Sequence, residues 1–392
     1  MHVPRIERAE TLRILFAVTV PITARAVLRG QLSYLAEHGH EVHLATSVGD
    51  PFADEADAAI TMRHVVPFSR SVLDAVQDVR ALWELWRVVR KTKPDLLVVG
   101  TPKAGLLGAL TARLSGVPCV YVLHGLRLEG ETGFYRRVLW LAERLTCVLA
   151  THVIAVGDEL RQRALSWSLV HQTKSSVPGA GSANGIDLDR FSPATSDESK
   201  QFRAVLGIPP SSFTVGFVGR LAPDKGLDIM IDMWPKVIEE NHSATLLLVG
   251  GVDAPVGSDQ EAAKALGNLP NVLAVGEVLD PERYFRVMDV LVLPSKREGL
   301  PTVVLEAAAC EVPAVMTAAT GARDAVAHGE TGLVVPMGDA EATARALLSL
   351  SNEDRRLAMG RAARARTRDH FEQVTVWENY ASLYRGVVHR QT

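Results

Sequence analysis

The segment PSKREGLPTVVLEAAAC, residues 294–310, places Glu298 in a polar loop and Glu306 eight positions later among alanine and apolar neighbours. Pro301 marks a helix start, where its missing N–H costs nothing because the first amides of a helix have no intrahelical acceptor. Gly299 and Leu300 lead the chain into that start, and the N–H groups of Thr302 and Val303 can then hold an anion. Glu306, about a turn further in, is placed to accept hydrogen bonds from two neighbouring hydroxyls, as on a ribose. Glu298, back in the loop, can reach hydroxyls on the far side of a diphosphate. The two acids so spaced match the two ends of a sugar nucleotide.

A second charged set lies upstream. The apolar run FTVGFVG passes directly into RLAPDKGL, which supplies Gly219, Arg220, Lys225 and Gly226. Arg220 can grip phosphate oxygens with a two-pronged fork, Lys225 adds a compact charge, and Gly219 lets the backbone approach a ligand closely. Singly, each feature has a plainer reading: two cations in a surface turn, and an acid near a helix N-terminus. Two further candidates end strands in the first half of the chain. His124 closes VYVLHG beside Gly125, and Lys103 follows Thr101-Pro102, where it could meet a phosphate at a helix start or simply be solvated.

These residues need strands that end together. Short runs rich in valine, isoleucine and leucine alternate with longer amphipathic stretches, the pattern of a parallel sheet covered by helices on both faces. The first half has six such runs: RILFAVTV, EVHLATSV, MRHVVPF, DLLVVG, CVYVLHG and THVIAVG. After NGIDLDRFSP the pattern restarts with FTVGFVG, ATLLLVGG, NVLAVGEV, DVLVLPS, PAVMTA and GLVVP. The expected fold class is therefore α/β, with two Rossmann-like doubly wound domains facing across a cleft, and SPATSDESK reads as a linker.

Composition narrows the partners. At 392 residues the chain exceeds one ordinary domain, and a net charge of −3 argues against a general nucleic-acid binder. Cys119, Cys147 and Cys310 match no zinc spacing or disulfide framework and read as reduced core thiols. The start lacks the layout of a signal peptide, and no apolar run is long enough to cross a bilayer, so a cytoplasmic protein is expected. The basic helix EDRRLAMGRAARARTRDHF reads as a solvated face. GAGSANG carries Asn184 where a dinucleotide fingerprint needs glycine and reads as an interdomain turn; the Asp187 and Asp189 pair lies in the linker pattern and is not expected to bind metal.

In order and spacing, VGRLAPDKG, PSKREGLPTVVLEA, TGARDAV and GETGLVVP are similar to the motifs of retaining glycosyltransferases of the GT-B fold, family 4. TVPITARAVLRGQLSYL, TPKAGLLGAL, VYVLHGLRLE and GSANGIDLDRFSP resemble the branch acting in bacterial surface polysaccharide synthesis. The resemblance implies an acceptor-binding domain at 1–188, a nucleotide-sugar-binding domain at 189–374, and a last helix at 375–392 crossing back to the first domain. It implies that Arg220 and Lys225 hold the donor diphosphate, that Glu298 and Glu306 hold sugar and ribose, and that His124 lies near the donor sugar. Acceptor contacts are expected from Arg25, Arg29 and Lys103. Many members have a Gly-Gly pair after the first strand, whereas this chain has Val20-Pro21-Ile22 and reaches Gly30 only after Arg25 and Arg29.

The implied activity is metal-independent transfer of a hexosyl or N-acetylhexosaminyl group from a nucleotide diphosphate sugar to a lipid-linked or small glycoside acceptor, with no cofactor. The nucleotide sugar is a substrate. A nucleotide-sugar 2-epimerase and a non-catalytic nucleotide-sugar-binding protein are the alternatives. A lipid-linked acceptor would bring the N-terminal domain to the inner face of the cell membrane. Two stretches there mix aromatic and basic residues: LWELWRVVRKTKP and FYRRVLWLAERL. Their apolar residues also recur at helical spacing and could face the core.

Overall fold

A computed structural model describes residues 11–49, 62–69, 74–252 and 258–390. The chain divides into two compact units, Met1–Asn184 with Val374–Thr392, and Gly185–Gln373. The first unit is built on β1 (Arg13–Ala17), β2 (Glu41–Thr46), β3 (Met62–Val65), β4 (Leu96–Val99), β5 (Cys119–Leu123), β6 (His152–Ala155) and β7 (Ser175–Ser176). Every pairing is parallel, in the order β3-β2-β1-β4-β5-β6-β7. All four residues of β4 and all five of β5 are buried, as strands covered on both faces must be.

The second unit repeats the plan with β8 (Thr214–Val218), β9 (Thr245–Val249), β10 (Val272–Gly276), β11 (Val290–Leu293), β12 (Ala314–Thr317) and β13 (Gly332–Val335), in the parallel order β10-β9-β8-β11-β12-β13. In each sheet the chain first builds outward in one direction, then returns to the first strand and builds the other way. The reversal falls between β1 and β4 and between β8 and β11. At such a point the loops leaving the two strands diverge and open a crevice at their carboxyl ends, the usual ligand position in open α/β sheets. The expected doubly wound fold is thus present in both units, and every apolar run named from the sequence contributes a strand.

The basic helix Glu353–Phe371 is not simply a solvated face. Arg364 donates to the carbonyl of Ala309 at the end of the helix Thr302–Ala309, and Arg366 Nη2 donates to the carbonyl of Asp324, 2.7 Å away. Helix ends leave carbonyls without partners, and a guanidinium satisfies them while opposing the negative end of the dipole. Arg356 also pairs with Asp289 Oδ1 at 3.2 Å, while Arg203 takes Asp289 Oδ2 at 2.8 Å.

One buried acid in the first unit sets a pH dependence. Glu143 lies on the inner side of the helix Gly133–Leu149 and accepts a hydrogen bond from the Tyr121 hydroxyl at 2.7 Å. Burial pushes its carboxyl up to about 7, and the tyrosine bond offsets this in part. Between the ordinary value of 4.5 and about 7 the folded chain keeps a proton that the unfolded chain releases. Stability from this group is therefore full at low pH and declines as pH rises through that window. The melting temperature should fall from pH 5 to pH 8, and Glu143→Gln, which keeps an acceptor for Tyr121, should make the fall shallower. An equal fall in both proteins would rule out Glu143 as its source.

Candidate functional site

Arg220, Lys225 and Glu298 stand on the two loops leaving β8 and β11, strands that pair directly in the register Val215↔Val290 and Gly216↔Leu291, and Glu306 lies in the helix that follows the second loop. The loop after β8 is anchored by Gly219 N–H to the Val249 carbonyl and Leu221 N–H to the Gly251 carbonyl, each at 2.9 Å. It closes in a single 3-10 turn, Pro223–Lys225, ended by Gly226 at φ 76°. That left-handed conformation favours glycine, and a Cβ there would run into the Pro294 carbonyl of the neighbouring loop. A backbone bond from Lys296 N–H to the Asp224 carbonyl, 2.9 Å, ties the loops together.

Across this junction Lys225 Nζ donates to Glu298 Oε1 at 2.7 Å, both side chains being mostly buried. Arg220 is about half exposed and faces Asp224 at 3.8 Å. Asp224 also takes Arg297 at 3.4 Å, so one carboxylate stands between two guanidinium groups. Lys296 pairs with Asp228 at 2.7 Å. Sequence reasoning passed over Asp224 and Arg297. Their signal was available: both adjoin named residues, in loops that follow strands of the same sheet.

The helix Thr302–Ala309 starts one residue later than a proline in its first turn would suggest. Pro301 is its cap, in extended conformation, and its carbonyl accepts from Val304 N–H at 3.0 Å. Thr302 and Val303 therefore carry amides ahead of the helical ladder. Behind the turn, Gly321 has φ 83°, and a Cβ there would collide with the Gly299 carbonyl. The TGARDAV segment is thus pressed against the GLP turn by a contact that only glycine allows. Glu306 keeps a part-exposed surface, yet protein surrounds its carboxyl closely enough that burial pushes it up to about 7. The Arg190 charge pulls it down and Glu282 pushes it up; these two form their own pair at 2.9 Å.

The structure thus gathers Gly219, Arg220, Lys225, Glu298 and the 299–303 turn around the reversal point of the second sheet. Candidates in the first half belong to the other unit. His124 follows β5, and burial holds its imidazole down at about 4, so it is neutral near pH 7. Lys103 Nζ is held by Asp78 at 2.6 and 2.9 Å. Arg25 lies exposed in the helix Pro21–Leu28, and the Arg29 carbonyl accepts from Asn184 Nδ2 at 2.8 Å. Asp187 Oδ1 accepts the N–H groups of Asp189 and Arg190, a local turn. Among the described residues no group of three or more His, Cys, Asp and Glu could hold a metal ion.

The two aromatic and basic stretches form helices of different character. In Ala75–Thr92, Leu85 and Val89 are buried while Trp83 and Trp86 stack at 5.2 Å. In Gly133–Leu149, Glu143 and Cys147 face inward, and Phe134, Leu141, Leu145 and Val148 are exposed, Phe134 to 81%. Arg136 covers the Trp167 ring at 5.1 Å and Arg144 the Trp140 ring at 5.6 Å. Its exposed charges are Arg136 and Arg137, both positive. Among the described residues no helix is long and apolar enough to cross a membrane.

Comparison with known proteins agrees with this layout. Residues 212–353 match the family described as glycosyl transferases group 1, and residues 23–177 match the glycosyl transferase 4-like domain. The capsular polysaccharide biosynthesis glycosyltransferase CapM of Staphylococcus aureus is 32% identical over 91% of this chain and 93% of its own length. The UDP-Gal:alpha-D-GlcNAc-diphosphoundecaprenol alpha-1,3-galactosyltransferase of Escherichia coli is 24% identical over 91% of this chain and 92% of its own. Among solved structures, Anabaena HepE in complex with UDP-glucose superposes with a TM-score of 0.77 at 22% identity, covering 96% of this chain and 100% of that one. At that identity the likeness is one of fold.

Proposed function

The chain belongs to the group 1 glycosyl transferases, and on that footing we propose that it moves a hexosyl or N-acetylhexosaminyl group from a nucleoside diphosphate sugar to an acceptor hydroxyl, with retention at the anomeric carbon, in the assembly of a surface polysaccharide or related glycoconjugate. The observation that carries this reading is the convergence of Arg220, Lys225 and the start of the Thr302–Ala309 helix at the carboxyl ends of β8 and β11. As the bond from the anomeric carbon to the diphosphate breaks, negative charge grows on the leaving oxygens. Two cations and a helix N-terminus aimed at those oxygens stabilise it in place of a metal ion.

Glu306 takes the ribose hydroxyls and Glu298 the transferred sugar. Glu298 accepts from the Lys225 ammonium at 2.7 Å, a cation that the donor phosphate shares or takes over. Retaining glycosidases use a close carboxylate nucleophile. No such carboxylate is assigned here, and the acceptor oxygen attacks from the face the diphosphate leaves, its proton passing to a leaving phosphate oxygen. Thermal-shift screening with nucleoside diphosphates and their sugars tests the reading. A ligand at 100 times its Kd stabilises by about 2.7 kcal/mol. Failure of every nucleotide to shift the melting point would refute it. A modified donor released without acceptor would favour a 2-epimerase, and binding without any turnover a non-catalytic role.

For the acceptor, assigned to the first unit, we favour a lipid-linked glycan, as named for the Escherichia coli relative. The exposed apolar residues and uniformly positive exposed charges of Gly133–Leu149 support contact with an anionic bilayer, where each cation near the surface contributes about 1 kcal/mol. The protein should float with vesicles containing phosphatidylglycerol, less so as salt rises, and not with phosphatidylcholine alone. Replacing Leu141 and Leu145 together by serine should reduce flotation without lowering the melting temperature. Indifference to lipid charge would remove the membrane from this account.

A further inference from the structure

The first sheet has its own reversal point, and a small pocket lies there. Phe16 and Val18 at the end of β1, Val98 and Gly100 at the end of β4, and His124 after β5 line it. Gln31 joins them from the start of the helix Gln31–Glu37; it is 2% exposed, and its Nε2 has no hydrogen-bond partner among the described residues. A buried amide left unpaired is destabilising, and native chains keep few of them without a use.

The backbone around Gln31 is held firmly. Gly30, at φ 77°, caps this helix, and a Cβ there would stand 2.6 Å from the Trp377 ring. Trp377 Nε1 donates to Asn184 Oδ1 at 2.8 Å, and Asn184 Nδ2 donates to the Arg29 carbonyl at 2.8 Å. The GAGSANG segment, no dinucleotide fingerprint, thus serves as the clamp that presents Gln31. His124 is seated over Gly100, where a Cβ would come within 2.8 Å of its Nε2.

The pocket's chemistry selects its ligand. Among the described residues no Lys, Arg, Asp or Glu lines it, so neither a phosphate nor an ammonium would find a counter-charge there. An amide N–H seeks a neutral oxygen, and an imidazole lining the same pocket suits a group that both accepts and donates. We propose that Gln31 reads a single hydroxyl of a sugar substrate, the oxygen accepting from the Gln31 amide and its hydrogen directed to His124. Gln31 is then a specificity residue for the transfer reaction, which rests on the glycosyl-transfer reading above.

Gln31→Leu tests this, because a structural and a substrate-binding amide respond oppositely. Removing an unpaired buried amide should raise the melting temperature, whereas removing one with a structural partner should lower it. The variant should keep the wild-type thermal shift with the nucleoside diphosphate and lose roughly tenfold to a hundredfold in kcat/KM, the scale of one substrate hydrogen bond. Deoxy donors and deoxy acceptors distinguish the source of the hydroxyl: one of them should be a poor substrate for wild type yet match its parent in the variant. Binding is also read without turnover, by saturation-transfer NMR with methyl glycosides of glucose, galactose, mannose and N-acetylglucosamine. Signals in wild type that vanish in Gln31→Leu support the proposal even if transfer is not found. A lower melting temperature for the variant, unchanged kcat/KM, or no glycoside signal in wild type overturns it.

Discussion

Alanine in place of Arg220 or Lys225 should lower glycosyl transfer roughly tenfold to a thousandfold, the range seen when one donor facing a developing anion is removed. The two losses have different origins. Arg220 is about half exposed and tied to Asp224 at 3.8 Å, so its removal frees one carboxylate that Arg297 still neutralises. Stability should hardly change, and the deficit should appear in kcat as diphosphate departure becomes harder. Lys225 is mostly buried against Glu298 at 2.7 Å, and its removal leaves that carboxylate without its cation. Some stability should go with it, since a buried charge stripped of its partner is costly. Steady-state kinetics on variants shown to be folded by circular dichroism decides the matter. Wild-type turnover in both would remove the diphosphate assignment.

The second large effect separates the two glutamates. Glu306→Gln should weaken binding of a nucleoside diphosphate roughly tenfold to a hundredfold, because a carboxylate accepting two hydroxyl hydrogen bonds becomes an amide with one acceptor. Glu298→Gln should leave that affinity unchanged or tighten it, since the neutral amide no longer competes with phosphate for Lys225. Its cost should appear in turnover and depend on the sugar attached. Burial places Glu306 near 7, and the ionised form is the better acceptor. Nucleotide affinity should therefore rise more steeply from pH 6 to pH 8 in wild type than in Glu306→Gln. Calorimetry with the nucleoside diphosphate alone reads both effects. A larger loss for Glu298→Gln would exchange the two roles.

Much of the fold was legible because buried parallel strands must be short and almost wholly apolar, and such runs stand out between amphipathic helices. Leu96–Val99 and Val290–Leu293 are recognisable on that ground alone. Ser175–Ser176 is not: two serines pair with β6 through the backbone and carry no apolar signal. The arginines of Glu353–Phe371 misled for a related reason. Charge predicts solvation unless something nearby needs a donor, and the carbonyls of Ala309 and Asp324 that accept from Arg364 and Arg366 come from other elements.

The candidate site divides in the same way. Residue types, strand-to-loop order and the position of Pro301 are local properties, so the sequence by itself determined which loops carry cations, which carry acids, and where a helix start could hold an anion. Only the tertiary structure decided that Lys225 meets Glu298 across 73 residues, that Asp224 is shared by Arg220 and Arg297, and that Gln31 Nε2 is buried without a hydrogen-bond partner among the described residues. Such facts depend on which strands become neighbours when a sheet reverses its order and on where glycines let backbones touch. Distant segments are brought together by the packing of the whole unit, and no short window of residues encodes that.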